Sequence, residues 1–390
     1  MLNLYKRTSS SRVSLTCRSK TNFTAKATTY QPPSSKTSAS ELDLLQRYTD
    51  VVPDVFLGSS IEKPKAATVS YSVLSGIVAS ESLGLRPYEN AILSALNFDK
   101  CRAAPDAERA QCHLNKAMVN VGALLSQEVQ GKVCTDIDAR LANEEGKMVS
   151  LVQQLLDMYK EVGISKEKLI FRFPATWHGI QAAKHLESEG ISTQVFLVFS
   201  LVQAVAAAQA GVSVIQPNVG RTREWYNKHP GVIRDPLGPR QDAAGQSSVD
   251  PGRLLVEQVY NYTKKFHPKT KVMASGIRTK EDAMALSGVD YLVVSSKVIA
   301  ELSAVPTAAG YNDGLQAMGS VDEGMDVAFS LEAAQRCGIQ MMPSIDKKTF
   351  NADLGIAGEE LLRQSLQQQV DQAEQILPYF SKSITASSSL

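Results

Sequence analysis

Short apolar runs alternate with longer segments of helical periodicity between about residues 50 and 300. Several runs, such as LIFRF, VFLVF and YLVVS, are continuous, which is typical of parallel strands that are covered on both faces. The runs predict eight strands, at 50–56, 67–73, 132–137, 168–173, 194–199, 212–216, 271–274 and 291–295.

The segments between these strands carry recognisable helix ends. Asn143 is a candidate N-cap for a helix that Gly163 would end, and Asp250 precedes Pro251 at a predicted first helical position. Thr279 begins a sequence that resembles a capping box. Eight strand–helix alternations favour an α/β fold, a (β/α)8 TIM barrel, over a doubly wound sheet, and no GxGxxG motif follows the first strand.

Beyond residue 300, apolar positions from Leu362 to Leu377 share one face of a predicted helix. We expect Pro378 to end this helix, because proline cannot supply the backbone N–H that a helix interior needs. We expect the helix to pack on the barrel, so that residues 41–390 form one domain.

Residues 1–40 differ from the rest of the chain. They contain seven Lys or Arg, sixteen Ser or Thr, and no Asp or Glu. So polar a segment cannot bury enough apolar surface to fold alone, and its composition is typical of an organelle transit peptide. With only three arginines, it favours import into the chloroplast or another plastid, with the mitochondrion as the alternative destination. A merely disordered tail is the other interpretation.

The composition of the whole chain indicates neither a nucleic-acid partner nor a membrane partner, because the net charge is only +1 and no apolar run approaches the ~20 residues that cross a bilayer. Five scattered cysteines favour reduced thiols, although Cys101 and Cys112 are a candidate redox-sensitive pair. The five histidines show no metal-ligand spacing, so we expect no metal and no other cofactor.

Functional side chains of a (β/α)8 barrel lie at the carboxyl ends of the strands and in the loops that follow. The polar residues predicted at those positions are Asp54, Ser70, Ser72, Asp136, Asp138, Arg172, Gln216, Asn218, Arg221, Ser275 and Arg278. Arginines grouped at helix N-termini form an anion site, and two that come late in the chain match the phosphate position usual in this fold. The sequence therefore predicts a pocket for a phosphorylated ligand.

Four segments resemble those of the transaldolase family, in particular its plant-type, plastid members. They are CTDIDARLA (134–142), FPATWHGIQAA (173–183), FSLVQAVAAAQAGVSVIQPNVGRTREWY (199–226) and MASGIR (273–278). Their order and spacing agree with the family over about residues 42–302, and QRYTDVVPD (46–54) resembles its first-strand segment. The resemblance implies transfer of a dihydroxyacetone unit between sugar phosphates in the pentose phosphate pathway of carbohydrate metabolism. It also implies that a lysine on the fourth strand forms a Schiff base with the ketose.

Several positions of the family's motifs are retained. By this resemblance, Asp54 falls on the acid/base aspartate of the first strand and Ser72 on a serine of the second-strand loop. Arg221 and Arg278 fall on the phosphate-binding arginines. The structural positions that are kept are Asp138 and Trp177.

Other positions depart from the family's pattern. Arg172 stands at the Schiff-base position, and Asp136 replaces the glutamate that positions the catalytic water. Phe196 replaces the threonine beside that water, Ser70 replaces an asparagine that holds substrate hydroxyls, and Gln216 replaces a serine. Arginine keeps its proton in proteins and cannot supply the neutral amine that a Schiff base requires. We therefore expect a pseudoenzyme that binds sugar phosphates and whose transferase activity is weak or lost.

Two other functions stay open. An active transaldolase would need a displaced lysine, for which Lys297, after the eighth strand, is the candidate nearest the barrel mouth. A different lyase or isomerase chemistry would centre on Asp54 and Asp136. The sequence also leaves a homodimer open, and the loop 227–249 beside the predicted phosphate site is either a gate or a surface loop.

Overall fold

The computed structural model describes residues 40–54, 61, 63–80, 83–230, 250–304 and 329–387. The predicted transit segment, apart from Ser40, and most of the loop 227–249 lie outside these residues, so the expectations for both stay predictions. Ser40 caps the first helix: its hydroxyl accepts a hydrogen bond from the backbone N–H of Asp43 at 3.1 Å. The Asp43 carboxylate accepts from the backbone N–H of Ser40 in return, which completes a capping box.

Eight parallel strands surround the core in the described part of the chain. They are β1 (Asp50–Pro53), β2 (Ala66–Val69), β3 (Lys132–Asp136), β4 (Leu169–Pro174), β5 (Thr193–Val198), β6 (Val214–Pro217), β7 (Lys271–Ile277) and β8 (Tyr291–Val294). Their hydrogen-bonded order is β1-β8-β7-β6-β5-β4-β3-β2, and the end strands β1 and β2 contact each other. The sheet is therefore a nearly closed barrel, and the predicted (β/α)8 fold is confirmed.

Helices lie between the strands and cover the outside of the barrel. Those in the described residues are α1 (Glu41–Leu45), α2 (Tyr71–Ala79), α3 (Arg86–Ala95), α4 (Asp99–Arg102), α5 (Asp106–Glu128), α6 (Glu145–Glu161), α7 (Trp177–Ser188), α8 (Leu201–Gln209), α9 (Val219–Lys228), α10 (Pro251–Phe266), α11 (Lys280–Ala285), α12 (Ser296–Ala304), α13 (Leu331–Arg336), α14 (Lys347–Asp353) and α15 (Gly355–Ser387). Short 3-10 helices occupy Leu83–Leu85, Ala139–Leu141 and Lys166–Lys168.

Alternate residues of each strand face the inside of the barrel, because successive side chains of a strand point to opposite faces. The inner apolar layer consists of Val52, Ala66, Cys134, Ile170, Val214 and Met273, which form a buried cluster of their own. The residues two positions further along β3, β4 and β6 are Asp136, Arg172 and Gln216. These three side chains therefore share the inner face, one layer nearer the carboxyl ends of the strands.

Predicted and observed strand ends agree within three residues except at β2. The prediction ran to residue 73, but β2 ends at Val69 and helix α2 begins at Tyr71. Ser70 caps this helix, because its hydroxyl accepts a hydrogen bond from the backbone N–H of Val73 at 3.3 Å. The alternation of apolar and polar residues after Ser70 imitates a strand, but the serine cap starts a helix.

Most of the predicted helix ends are confirmed. The Asp250 carboxylate accepts from two backbone N–H groups at the start of α10, and Thr279 caps α11. Gly163 follows α6 with a φ of +79°, a backbone conformation that favours glycine. The prediction for Asn143 was wrong: α6 begins at Glu145, and the residue before it makes no side-chain cap.

The C-terminal helix α15 continues through Pro378, so the expectation that this proline ends it was wrong. Proline costs the helix one backbone hydrogen bond, but Phe380 in the next turn is fully buried and holds that turn in place. Helix α15 contacts α2, α5, α9 and β5, which confirms that it packs on the barrel.

A disulfide joins Cys101 to Cys112, whose Cα atoms lie 5.4 Å apart, within the normal range for a disulfide. Cys134 and Cys337 are buried and belong to no disulfide. The expectation of reduced thiols was therefore wrong for Cys101 and Cys112, and the alternative of a pair between them is confirmed, because the turn between α4 and α5 brings these two cysteines together. The redox sensitivity of the pair stays a prediction.

Candidate functional site

The carboxyl ends of the strands surround a cavity of about 210 Å³, to which every strand contributes a residue. Six of the predicted site residues line it: Asp54, Ser70, Ser72, Asp136, Arg172 and Gln216. The other five, Asp138, Asn218, Arg221, Ser275 and Arg278, are not part of its lining. The predicted residues therefore divide into a group inside the cavity and a group beside it.

Arg172 and Asp136 form an ion pair in the wall of the cavity. They are register partners on the adjacent strands β4 and β3, and Arg172 Nη1 donates to Asp136 Oδ1 at 2.5 Å. Only 12% of the Arg172 side chain and 5% of the Asp136 side chain are exposed. Burial raises the pKa of Asp136, while the charge and the hydrogen bond of Arg172 oppose that rise.

The guanidinium of Arg172 is also held on its other sides. Its Nη2 donates to Gln216 Oε1 at 3.3 Å, and its Cζ lies 4.3 Å from the centre of the Phe196 ring. Gln216 Oε1 accepts a second hydrogen bond from Gln194 Nε2, at 2.5 Å. Arg172 is thus fixed by an acid, an amide and an aromatic face.

The two serines of this wall bond each other. The hydroxyls of Ser70 and Ser72 are 2.9 Å apart, and Ser70 also caps α2. Asp54 follows β1, where its backbone N–H donates to the carbonyl of Val294 at 3.0 Å. The hydroxyl pair and the Asp54 carboxylate give this side of the cavity groups suited to ligand hydroxyls.

The loops after β6 and β7 are held together by Asn218 and Ser275. These residues form an isolated bridge, and the Ser275 hydroxyl donates to the carbonyl of Pro217 at 3.1 Å. The side chain of Asn218 accepts from the backbone N–H of Arg221 and so caps α9. Gly276 has a φ of +75°, and a Cβ there would lie 2.5 Å from Asn218 Oδ1. Only glycine allows these loops to approach so closely.

Arg221 and Arg278 lie close enough for their charges to interact, outside the lining of the cavity. The pKa of Arg221 is lowered, mainly because the side chain is partly buried and also because of the charge of Arg278. The Glu224 carboxylate opposes this shift. Arg221 Nη1 donates to Ser365 Oγ at 2.7 Å, whereas Arg278 pairs with Glu224. Ser365 is one helical turn from Gln369, which lines the cavity, so Arg221 lies close to the cavity opening.

Sequence reasoning missed four lining residues that carry a polar or thiol side chain: Thr68, Cys134, Gln194 and Gln369. The period-two pattern could have found Cys134 and Gln194, which lie two positions before Asp136 and Phe196 on the same strand faces. No sequence pattern could have placed Gln369, because it reaches the cavity from α15. Burial raises the pKa of Cys134 to about 11, although the nearby Arg172 charge opposes this.

The two structural motif residues lie outside the lining. Asp138 caps the short helix Ala139–Leu141 and pairs with Arg140 at 2.6 Å, and the Trp177 ring packs edge-on against Phe350. No group of His, Cys, Asp and Glu among the described residues has the arrangement of a metal site. Within the same residues, no helix combines the length and apolar character that a membrane span requires.

The fold and the site define a class: a (β/α)8 barrel with a polar cavity at the carboxyl ends of its strands and two arginines of interacting charge after β6 and β7. A family model described as transaldolase/fructose-6-phosphate aldolase matches residues 85–372. Transaldolase of Cricetulus griseus is 35% identical over 266 residues, which are 67% of this chain and 74% of that protein. The human transaldolase is 34% identical over the same length, and Escherichia coli K12 transaldolase A is 34% identical over 264 residues, 79% of its own length. The chain belongs to the transaldolase family.

Proposed function

We propose that this protein binds a sugar phosphate of the pentose phosphate pathway in the barrel cavity without forming a Schiff base. Dihydroxyacetone transfer by this chain is then weak or lost. The observation that carries the proposal is the position of Arg172, whose guanidinium stands in the cavity wall in an ion pair with Asp136. A delocalised cation that keeps its proton cannot attack a carbonyl.

The positions of the lysines support binding without a Schiff base. Every lysine between residues 41 and 381 belongs to the described residues, and none lines the cavity. Lys132 bonds Ser192 near the start of its strand, at the opposite end of the barrel from the cavity. Lys297, the candidate for a displaced amine, is 83% exposed and faces Glu301 on its own helix. An active transaldolase would have to move one of these amines into the barrel.

Arg221 and Arg278 support the proposal that the ligand carries a phosphate group. Arg221 and Arg278 lie side by side at the start of α9 and after β7, where many barrels of this architecture bind phosphate. Like charges placed together are unfavourable unless an anion lies between them. Glu224 partly neutralises the pair in the absence of a ligand through its bond to Arg278.

The inner cavity supports a polyol as the rest of the ligand. Its serines, glutamines and acids donate and accept hydrogen bonds, as sugar hydroxyls do. Two buried polar atoms of the wall, Arg172 Nε and Gln194 Oε1, have no hydrogen-bond partner among the described residues. Buried groups are normally satisfied, so this wall resembles a polar ligand site more than a sealed core.

Borohydride reduction in the presence of fructose 6-phosphate tests the proposal. We expect no mass adduct on any lysine peptide, while calorimetry detects binding of the same compound. Arg221→Ala should weaken that binding at least about tenfold, the equivalent of one lost charge-assisted hydrogen bond. A reduced adduct on a lysine establishes the active alternative, and absence of binding refutes the sugar-phosphate ligand.

We also propose that residues 1–40 direct the protein to the plastid. The basic, hydroxyl-rich and acid-free composition of this segment supports the idea. Fusion of residues 1–40 to a fluorescent protein in plant cells tests it, and fluorescence in mitochondria or throughout the cytosol would contradict it.

A further inference from the structure

The disulfide between Cys101 and Cys112 lies outside the cavity and joins the short helix α4 to α5, which packs on strands of the cavity wall. Cys101 belongs to the short helix α4, and Cys112 belongs to the first turns of α5. Cys101 is fully buried and Cys112 is partly exposed. A reductant that approaches from solvent therefore meets Cys112 first. Helix α5 in turn packs on β2 and β3, which carry part of the cavity lining.

The first connection to the cavity runs through β3. Gln111, directly before Cys112, accepts a hydrogen bond from Arg140 through its Oε1 atom. Arg140 pairs with Asp138 through three hydrogen bonds of 2.6–3.1 Å. Asp138 follows Asp136 by two residues, so the position of Gln111 bears on the acid that holds Arg172.

The second connection runs through the end of β2. The side chain of Gln111 interacts with the hydroxyl of the buried Tyr71. Tyr71 stands between Ser70 and Ser72, which both line the cavity. A shift of Gln111 is therefore expected to move the cavity wall at the ends of both β2 and β3.

Lys116 offers Cys112 a different partner once the disulfide is broken. It follows Cys112 by four residues and so lies one turn along the same face of α5. The Nζ atom of Lys116 is 4.6 Å from the centre of the Phe98 ring. Lys116 is only 6% exposed, and it forms no ion pair with the described residues. A cation beside a cysteine favours the thiolate. We therefore expect Lys116 to attract the sulfur of Cys112 once the disulfide is reduced.

We propose that Cys101–Cys112 is a redox-active disulfide whose reduction by a dithiol loosens α4 and α5 and weakens ligand binding in the cavity. The dithiol is oxidised to its own disulfide while the protein S–S bond breaks. Cys101 and Cys112 together gain two electrons and, as thiols, two protons. The redox reaction stands on the disulfide itself, whereas its effect on the ligand rests on the proposed function.

The experiment compares the full chain before and after treatment with dithiothreitol, with alkylation and mass mapping to report the state of both cysteines. After reduction, we expect the alkylating reagent to modify both Cys101 and Cys112. Amide hydrogen exchange should become faster in residues 71–79 and 137–141. Binding of fructose 6-phosphate should become at least fivefold weaker. The double variant Cys101→Ser/Cys112→Ser should bind as the reduced protein does and should not respond to the dithiol. Cys337→Ala, which removes a cysteine that is outside the disulfide and the cavity lining, should respond as the unaltered chain does.

Gln111→Met tests the connection, because it keeps the disulfide and removes the polar contacts to Arg140 and Tyr71. Its affinity should be low in both redox states. Equal exchange rates and equal affinities in the oxidised and reduced unaltered chain would overturn the proposal, as would two cysteines that stay alkylatable after oxidation. Redox-dependent exchange without binding in either state would refute the proposed ligand and leave the redox-active disulfide in place.

Discussion

Arg172 on β4 lies directly opposite Asp136 on β3, and its Nη1 donates to the Asp136 carboxylate at 2.5 Å. This pair stands where the resemblance to the family implies a lysine and a glutamate. The chain therefore holds a fixed cation at the position where this resemblance implies the amine of a Schiff base. Phe196 and Gln216 complete the arrangement, because they contact the guanidinium on its other sides.

The first prediction concerns the stability of this pair. Asp136→Asn should lower the free energy of unfolding by about 3 kcal/mol, because it leaves a largely buried guanidinium without a counter-charge. The double variant Asp136→Asn/Arg172→Met should cost clearly less than the two single changes added together. Urea unfolding of the four proteins measures the coupling. Additive costs would show that the two side chains do not depend on each other.

The sequence alone could place Arg172 and Asp136 together, because both follow from strand order and the period of two along a strand. It could not place Gln369 or Ser365, which reach the site from a helix that is distant in the chain. It named Cys112 only as a candidate partner of Cys101, since the pairing depends on how the turn between α4 and α5 folds.

Local signals misled the sequence analysis where two of them competed. The residues after Ser70 alternate like a strand, but the serine hydroxyl caps a helix. Pro378 predicts the end of a helix, but the helix continues through it, and the buried Phe380 packs this part of the helix on the barrel. In both places, the extent of the helix depends on a contact that the hydrophobic pattern does not show: the Ser70 cap at α2 and the burial of Phe380 in α15.

The second prediction concerns Glu224, which pairs with Arg278 in the absence of a ligand. Both side chains are about half exposed, and such pairs contribute at most about 1 kcal/mol. Glu224→Gln should therefore release Arg278 and tighten binding of fructose 6-phosphate about two- to fivefold at low salt. Calorimetry at two ionic strengths measures this, and the gain should shrink at high salt. Weaker binding in this variant would mean that Glu224 itself contacts the ligand.

The third prediction concerns the thiol of Cys134 inside the barrel. Burial raises its pKa to about 11, so only a very small fraction is thiolate at pH 7.5. Alkylation by iodoacetamide should be at least about a hundredfold slower in the folded protein than in urea. Because the Arg172 charge lowers this pKa, Arg172→Met should slow the reaction further. Faster alkylation in that variant would instead report an opened cavity.

The fourth prediction concerns Asp282, which accepts hydrogen bonds from the guanidinium of Arg223 at 2.6 and 3.2 Å. Burial alone would raise the pKa of Asp282, but the bonds from Arg223 and from the backbone N–H of Arg278 outweigh it and lower the pKa below 3.8. A depressed carboxyl pKa stabilises the fold above the unfolded value, and this contribution disappears as the pH falls through the folded value.

Asp282→Asn should therefore lower the free energy of unfolding by about 1.5 kcal/mol at pH 7. The difference from the unaltered protein should narrow as the pH falls below 3.8. Urea unfolding between pH 3 and pH 7 measures both values. Asp106→Asn is the matched control, because Asp106 is 90% exposed and its ion pair is with Arg109 on its own helix. A difference that does not change with pH would mean that the Asp282 charge plays no part.

The last prediction concerns the carbonyl of the ligand. A Schiff base requires a ketone and an amine, whereas the wall around Arg172 offers only hydrogen bonds and charge. The alditol phosphates made by borohydride reduction of fructose 6-phosphate keep the phosphate and the hydroxyls but lack the ketone. They are also always open-chain, so no part of their binding free energy is spent on opening a ring.

We therefore expect the alditol phosphates to bind with a Kd equal to or lower than that of the ketose phosphate. Calorimetric titration of both compounds against the same protein measures the ratio. The alditol without its phosphate is the control and should bind at least about tenfold more weakly, because it cannot reach Arg221 and Arg278 with an anion. A ketose phosphate that binds more than about tenfold tighter than its alditol would contradict this view, since one hydrogen bond to a neutral carbonyl contributes about 1 kcal/mol and cannot account for so large a difference.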